Sequence, residues 1–250
     1  MSAPLIENYR FKYKSRGKWI YVPNDRCLQR ARHIIKFFNR GISFPSYFYH
    51  YKPGGHVAAL HDHLSNDFFF KIDIKNFFYS ISRNRVARAF ASKGLRGAPT
   101  YAKWSTVRSP YENGPRYVLP IGFWQSPYIA SLVLMQCPVA NAIERARDKG
   151  VLVSVYLDDF IGSHSDDALL REVYEDIQAA CVDANLVPNE NKLVAPSKAI
   201  VAFNCNLTKG SAKVADERVA EFFSVEHTEL ARQSFENYCE RVERANALTK

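Results

Sequence analysis

The 250-residue chain lacks the features that mark several large protein classes. Its five cysteines (Cys27, Cys137, Cys181, Cys205, Cys239) lie far apart and no CxxC occurs. That argues against a disulfide framework and a thiolate metal site, and makes reduced, mostly buried thiols in a cytoplasmic protein the expectation. No apolar run approaches the ~20 residues that cross a bilayer. The opening "MSAPLIENYRFKYK" has no apolar core, so no signal peptide is expected. Internal repeats and low-complexity tracts are absent too.

Acids are scarce at the front. Residues 1–50 hold only Glu7 and Asp25 against ten basic groups, an excess of +8 that is nearly all of the chain's net +9. Tyr, Trp and Phe are interleaved with these cations. The pattern suits a phosphate backbone with stacked bases; the plainer reading is a solvated basic surface.

Hydrophobic residues make up 47%, enough for a real core. "YRFKYKSRGKWIYVP" alternates around Ser15-Arg16-Gly17 and reads as a hairpin. "NDRCLQRARHIIKFFNRG" places Leu28, Ala31, Ile35 and Phe38 on one helical face, with Asn24 or Asp25 to cap it and Gly41 to end it. "PSYFYHYKPGG" reads as a short aromatic strand and turn, and "FFFKIDIKNFF" as a strand ending in aromatics. Ser82 is placed to cap a helix over "RNRVARAFASKG". Gly94 to Pro120 reads as a loop. Ser126-Pro127 opens a helix running towards Asp148, since proline is favoured in the first turn. A helix from about Asp166 to Asn185, short strands around "IVAFNCNL" and "SAKVA", and a last helix over "TELARQSFENYCERVERAN" complete a mixed α+β reading with a mostly antiparallel sheet.

The chemistry concentrates in "VLVSVYLDDFIGS". Aliphatic and β-branched residues make it a buried strand pair, yet Asp158 and Asp159 sit in the middle. Buried carboxylates are costly without a positive partner. A hairpin with both acids at its tight turn lifts them to the sheet edge, where Asp73 of "KIDIKNFF" is a candidate third acid. Three carboxylates suit hard Mg²⁺ (two ions, with Mn²⁺ as a substitute), which prefers oxygen ligands and leaves positions for phosphates. Two such ions activate a hydroxyl and stabilise a leaving pyrophosphate. Alone, "DD" at a turn is more often solvated, and a lone Asp in a strand is more often an edge residue.

With these motifs in hand, the chain resembles reverse transcriptases from about Tyr9 to Phe223. "YLDD" is similar to that family's YxDD motif, and "FFFKIDIKNFFYSI" to its first catalytic motif. "LPIGFWQSPYIASLVL" is similar to the nucleotide-positioning motif, usually LPQGxxxSP, and "NLVPNENKLV" to the motif whose lysine protonates pyrophosphate. "VAFNCNL" stands where a primer-grip hairpin would be. The resemblance implies a right-hand polymerase with fingers (1–66), an antiparallel palm with inserted fingers elements (67–215) and a reduced or missing thumb (216–250). It implies Asp73, Ile74, Asp158 and Asp159 at the metals, and Lys192 as proton donor. It places Lys14, Lys18, Ile74, Phe78, Gly122, Gln125 and Ser126 at the nucleotide. Phe78 becomes the ring that excludes a ribose 2′-hydroxyl, while Phe77 is ordinary packing.

The chain departs from the pattern at Ile121, where Gln is usual, and at Asn204-Cys205, where many relatives have Leu-Gly. The chain is similar to bacterial retron-like members, and its "PIG" variant resembles abortive-infection and defence-associated members more than retroviral ones, though it also occurs in diversity-generating relatives. That implies RNA-directed DNA synthesis in antiphage defence, with a structured noncoding RNA template, deoxynucleotide substrates and a DNA product. The alternatives are template-independent or protein-primed DNA synthesis, and a catalytically silent nucleic-acid-binding subunit. His56, His61 and His63 lack zinc-site spacing and read as polar-loop or RNA-contacting residues. Leu230, Phe235, Tyr238 and Val242 give the last helix an apolar face that either packs on the palm or docks on another copy or an accessory protein.

Overall fold

The computed structural model describes residues 8–247. Met1–Glu7, where a leader would start, lie outside them, as do Leu248–Lys250. Tyr9–Ser15 (β1) and Lys18–Pro23 (β2) form the expected hairpin. Arg16 and Gly17 close it at φ 46° and 76°, the left-handed values a two-residue hairpin turn requires. The Asn24 side chain caps Asp25–Gly41 (α1) by accepting from Cys27 N–H at 2.9 Å. The helix buries Cys27, Ala31, Ile34 and Phe38, so its apolar stripe runs through Cys27 and Ile34 rather than Leu28 and Ile35.

The aromatic stretch that follows is a 3₁₀ turn, Tyr49–Tyr51, with only Phe48 bridging to Val155. The histidine segment is a helix, Gly55–His63 (α2), instead of a polar loop. Phe68–Asp73 (β3), Phe77–Ser80 (α3) and Arg83–Ser92 (α4, capped by Ser82) follow. The span expected as loop holds Ala98–Trp104 (α5) and the small hairpin of Val107–Arg108 (β4) and Tyr117–Val118 (β5). Ser126–Leu134 (α6) starts as expected but stops early. Pro138 opens a separate helix, Pro138–Asp148 (α7), because proline cannot donate inside a continuing helix.

Leu152–Tyr156 (β6), Asp159–His164 (β7) and Asp167–Asp183 (α8) come next. Four strands then stand where two were expected: Val194–Ser197 (β8), Ala199–Ala202 (β9), Cys205–Thr208 (β10) and Ser211–Val214 (β11). Asp216–Phe223 (α9), Glu229–Glu243 (α10) and a 3₁₀ turn, Arg244–Ala247, close the described chain. Every pairing between these strands is antiparallel.

By internal contacts the chain forms two compact units. The first comprises Met1–Phe44, Asn76–Ala140 and Ala184–Leu186; the second comprises Pro45–Lys75, Asn141–Asp183 and Val187–Lys250. In the first, Tyr21, Cys27, Tyr79, Val118 and Phe123 form a core. Tyr21 N–H donates to Ile121 O at 2.9 Å, and a Cβ on Gly122 (φ 104°) would lie 2.4 Å from Tyr21 O, so only glycine fits this approach.

The second unit holds a four-stranded sheet ordered β6-β7-β3-β8 and a three-stranded sheet ordered β11-β10-β9. Side chains alternate faces along a strand. Phe70 lies 5.4 Å, ring to ring, from Tyr174 of α8, and Phe69 and Ile161 join a core with Leu60, Leu207, Phe235 and Val242. Gly162, opposite Phe70, leaves room for that ring; a Cβ there would come within 2.2 Å of it. Phe235 and Val242 are buried and Tyr238 packs beside them, while Leu230 is exposed. The apolar face of α10 is therefore largely consumed by its own unit, which favours the packing expectation over the docking one.

Candidate active site

Strand register places the first acid opposite the last. Asp73 ends β3 directly across from Asp159, the first residue of β7. The turn between β6 and β7 is Leu157-Asp158, not Asp158-Asp159, because Tyr156 pairs with Asp159. Leu157 takes φ 58°, a left-handed value costly for a side-chain-bearing residue. The main chain locks this corner: Ile74 N–H donates to Asp158 O at 3.0 Å, and Asn189 N–H to Asp73 O at 2.8 Å.

Opposed carboxylates repel, and the surroundings compensate. Asp73 is buried, with Oδ1 accepting from Asn189 Nδ2 and Oδ2 from Lys192 Nζ, each at 2.9 Å. Lys192 belongs to the 3₁₀ turn Glu190–Lys192. Its pKa is raised, first by that hydrogen bond and further by the charges of Asp73, Asp159 and Asp158. Lys71 Nζ stands 3.4 Å from Asp159 Oδ1, an ion pair out of line for a hydrogen bond. Burial is the main reason the Asp159 pKa is raised; Asp158 and Asp73 push the same way, and Lys71 opposes them.

Carboxylate oxygens are the donors a hard divalent cation prefers, and Asp159, buried among like charges, would be relieved by positive charge. Ile74 has a hydrocarbon side chain, so it can offer only its carbonyl oxygen. Among the described residues no three His, Cys, Asp or Glu side chains are gathered tightly enough to hold an ion without rearrangement. Lys192 and Asn189 hold Asp73 instead.

Several supporting residues escaped the sequence reading. His50 Nδ1 accepts from Leu157 N–H at 3.4 Å, and its ring stands edge-on to Tyr156. His63 is fully buried, with Nε2 2.8 Å from Ser154 Oγ and Nδ1 2.6 Å from Ser163 Oγ, so α2 ties β6 to β7. Burial lowers the His63 pKa to about 3, keeping the ring neutral. His56 packs on Tyr156 and Phe203, and its Nε2 lies 3.1 Å from the Tyr238 hydroxyl. His61 Nε2 donates to Val242 O at 2.9 Å. None of the three histidines stands in a polar loop. A cavity of about 450 Å³ opens beside the acids, walled by Tyr156, Phe203, Arg218 and Tyr238. Phe203-Asn204, the expected primer-grip position, is the turn between β9 and β10, both residues at positive φ.

The remaining candidates belong to the first unit. Lys18 is exposed beside the hairpin turn, and Lys14 Nζ lies 5.1 Å from the Trp19 ring centre. Phe77 is buried and Phe78 partly exposed. Gly122 is exposed, whereas Gln125 and Ser126 are buried. Ser126 Oγ donates to Pro120 O at 2.7 Å, and Gln125 Nε2 lies 3.8 Å from Cys27 Sγ. Both side chains shape the loop from within.

Comparison with known proteins agrees with the motif pattern. Residues 13–207 match the family model described as reverse transcriptase (RNA-dependent DNA polymerase). No curated protein sequence matches. Among solved structures, apo telomerase from Candida tropicalis, truncated from its C-terminal domain, superposes with a TM-score of 0.53 at 11% identity, over 83% of this chain and 54% of that one. Telomerase from Candida albicans, in complex with a fragment of telomeric RNA, gives 0.49 at 12% identity over 75% and 37%. The first likeness concerns the fold alone, and this chain spans about half the length of that relative.

Proposed function

The chain belongs to the reverse transcriptase family, and from that premise we propose that it is an RNA-directed DNA polymerase acting at the Asp73–Asp158–Asp159 edge. The observation that carries the reading is the pairing of Asp73 with Asp159 across β3 and β7, with Asp158 in the adjoining turn. Residues 1–66 are read as fingers, 67–215 as palm with inserted fingers elements, and 216–250 as a short C-terminal helical segment in place of a thumb.

Asp73, Asp158, Asp159 and the Ile74 carbonyl would hold two Mg²⁺ ions, with Mn²⁺ as a substitute. Such ions, when bound, activate the attacking 3′-hydroxyl and neutralise charge on the leaving pyrophosphate. Lys192 is protonated at neutral pH, and positive charge at Asp73 would free it to give its proton to the leaving group. Lys14 and Lys18 neutralise the triphosphate. Gly122 admits close backbone approach, held in place by Gln125 and Ser126 behind it. Phe78 fills the space of a 2′-hydroxyl, the group that separates ribose from deoxyribose. The proposed setting is bacterial antiphage defence in the cytoplasm, with a structured noncoding RNA template and, where the short C-terminal segment grips too little, a second copy or an accessory protein. The resemblance of the Pro120-Ile121-Gly122 variant supports that setting.

One observation favours the silent-subunit reading: Lys192 and Asn189 occupy both oxygens of Asp73. Primer extension with Mg²⁺, with and without an RNA template, separates the possibilities. Template-dependent DNA synthesis is expected, lost on chelation and in Asp158→Asn. Extension without template points to the template-independent alternative, and no extension with RNA binding intact points to the silent one. In the same assay Phe78→Ala raises ribonucleotide over deoxynucleotide incorporation by roughly tenfold; an unchanged ratio makes Phe78 a packing residue.

A further inference from the structure

The hairpin β1–β2 carries two exposed rings that this reading leaves unused. Phe11, Tyr13 and Ser15 share one side of β1, opposite Val22, Ile20 and Lys18 of β2. Phe11 is 56% exposed and Tyr13 47% exposed, with ring centres 6.4 Å apart and planes tilted 36°. That spacing is close to the two-residue repeat of a strand, ~6.8 Å. Lys12 and Lys14 belong to the opposite side, 4.6 Å and 5.1 Å from the Trp19 ring centre.

Large aromatic rings left in water in register suggest a partner that covers them. The surrounding charge selects its kind. Among described residues of the first 44, Asp25 is the only acid, and Arg10 pairs with it at 2.6 Å. Lys18 shares the rings' face, Arg16 sits in the adjoining turn, and Lys12 and Lys14 stand on the other side of the same two strands. A positive field around successive π-faces complements a chain with negative linkers and flat, unpaired bases.

We propose that Phe11 and Tyr13 form a stacking platform for two consecutive unpaired bases of single-stranded nucleic acid, with the hairpin cations neutralising its phosphates. The platform rests on the polymerase reading, which it deepens by naming where unpaired strand is held. It selects single strands because bases in a duplex are already stacked on one another.

The test is fluorescence anisotropy with labelled oligo-U and with a blunt RNA duplex, using wild type, Phe11→Ala, Tyr13→Ala and the double variant. Each ring removed weakens oligo-U binding about tenfold, while duplex affinity and the salt slope of log K stay unchanged, because stacking releases no counterions. Tyr13→Trp retains affinity, and its emission is quenched when oligo-U binds. Equal losses for single strand and duplex overturn the platform, as does no loss. So does a shift of solution mass from a larger to a smaller species in the double variant, which makes the face a contact between copies. Both rings are exposed, so thermal melting of the variants matches wild type; a lowered melting temperature makes the rings structural and also overturns it. The two readings fail differently. Single-strand binding by the platform without nucleotide incorporation sinks the polymerase alone. Wild-type oligo-U binding by a double variant that still extends primers sinks the platform alone.

Discussion

The acid edge of the second unit and the basic hairpin of the first concentrate opposite charges under opposite conditions. At the edge, Asp73 and Asp159 face each other from paired strands, and Lys71, Asn189 and Lys192 hold them through fixed contacts. On the hairpin, lysines lie against aromatic faces and most side chains reach water. Buried charge is balanced in place, because an unbalanced carboxylate is expensive in a low dielectric. Exposed charge costs little and can await a partner. The two regions should therefore answer mutation differently: the edge through chemistry and fold stability, the hairpin through affinity and salt dependence.

The largest expected effect falls on the edge. Asp73→Asn lowers nucleotide incorporation by roughly 10²–10³-fold or more, with RNA affinity, measured by filter binding, within twofold of wild type. A large loss of affinity in this variant would break the comparison, since it would make the edge a binding surface.

Beneath the acids, Gly162→Ala drives a methyl into the Phe70 ring and costs about 1–3 kcal/mol of unfolding free energy in urea. Phe70→Leu in that background recovers part of the loss. An unchanged midpoint would show that the sheet yields more readily than its packing implies.

Next comes a pH effect at His63. Its folded pKa, near 3, lies below the ordinary histidine value of 6.5, so the neutral ring is favoured in the fold. The stabilisation is complete above pH 6.5. It is lost as pH falls from there towards 3, because the unfolded chain takes the proton first. Denaturation between pH 7 and pH 4 should show wild type losing on the order of 1 kcal/mol per pH unit relative to His63→Gln. The glutamine can still bond Ser154 and Ser163 but does not titrate. Parallel curves would remove His63 from the account.

The smallest effect sharpens the contrast. Lys14→Ala removes a cation from the Trp19 face, changes unfolding free energy by about 0.5–1 kcal/mol at most, and lowers the salt slope of single-strand binding by about 0.7. A large stability loss would mean the hairpin is balanced in place like the edge.

The hairpin was legible in the sequence because its signals are local: alternation and Arg16-Gly17. The YLDD motif and Asp73 were legible because acids in apolar strands are conspicuous. The register that sets Asp73 against Asp159 was not, since it depends on pairing between residues far apart in the chain. Local patterning also mistook the Leu157-Asp158 turn by one residue, because either register leaves aliphatic residues on both sides. His63 looked like loop polarity; its role needs two serines from different strands. The apolar face of α10 was visible, but whether it was spent or free depended on β10, β11 and α2. Gln125 and Ser126 were found as motif members, and only packing reveals that they turn inward.

The sheet also sets a schedule for synthesis. Phe68, Phe69 and Phe70 of β3 emerge early, but the partner residues His164, Ser163 and Gly162 of β7 lie nearly a hundred residues later. At ~5–20 residues per second, this apolar strand waits roughly 5–20 s on the ribosome with both edges open. Exposed strands of that composition are templates for aggregation. Yield in a foreign host should therefore follow translation speed and chaperone supply across residues 74–164 more closely than it follows the stability of the finished protein.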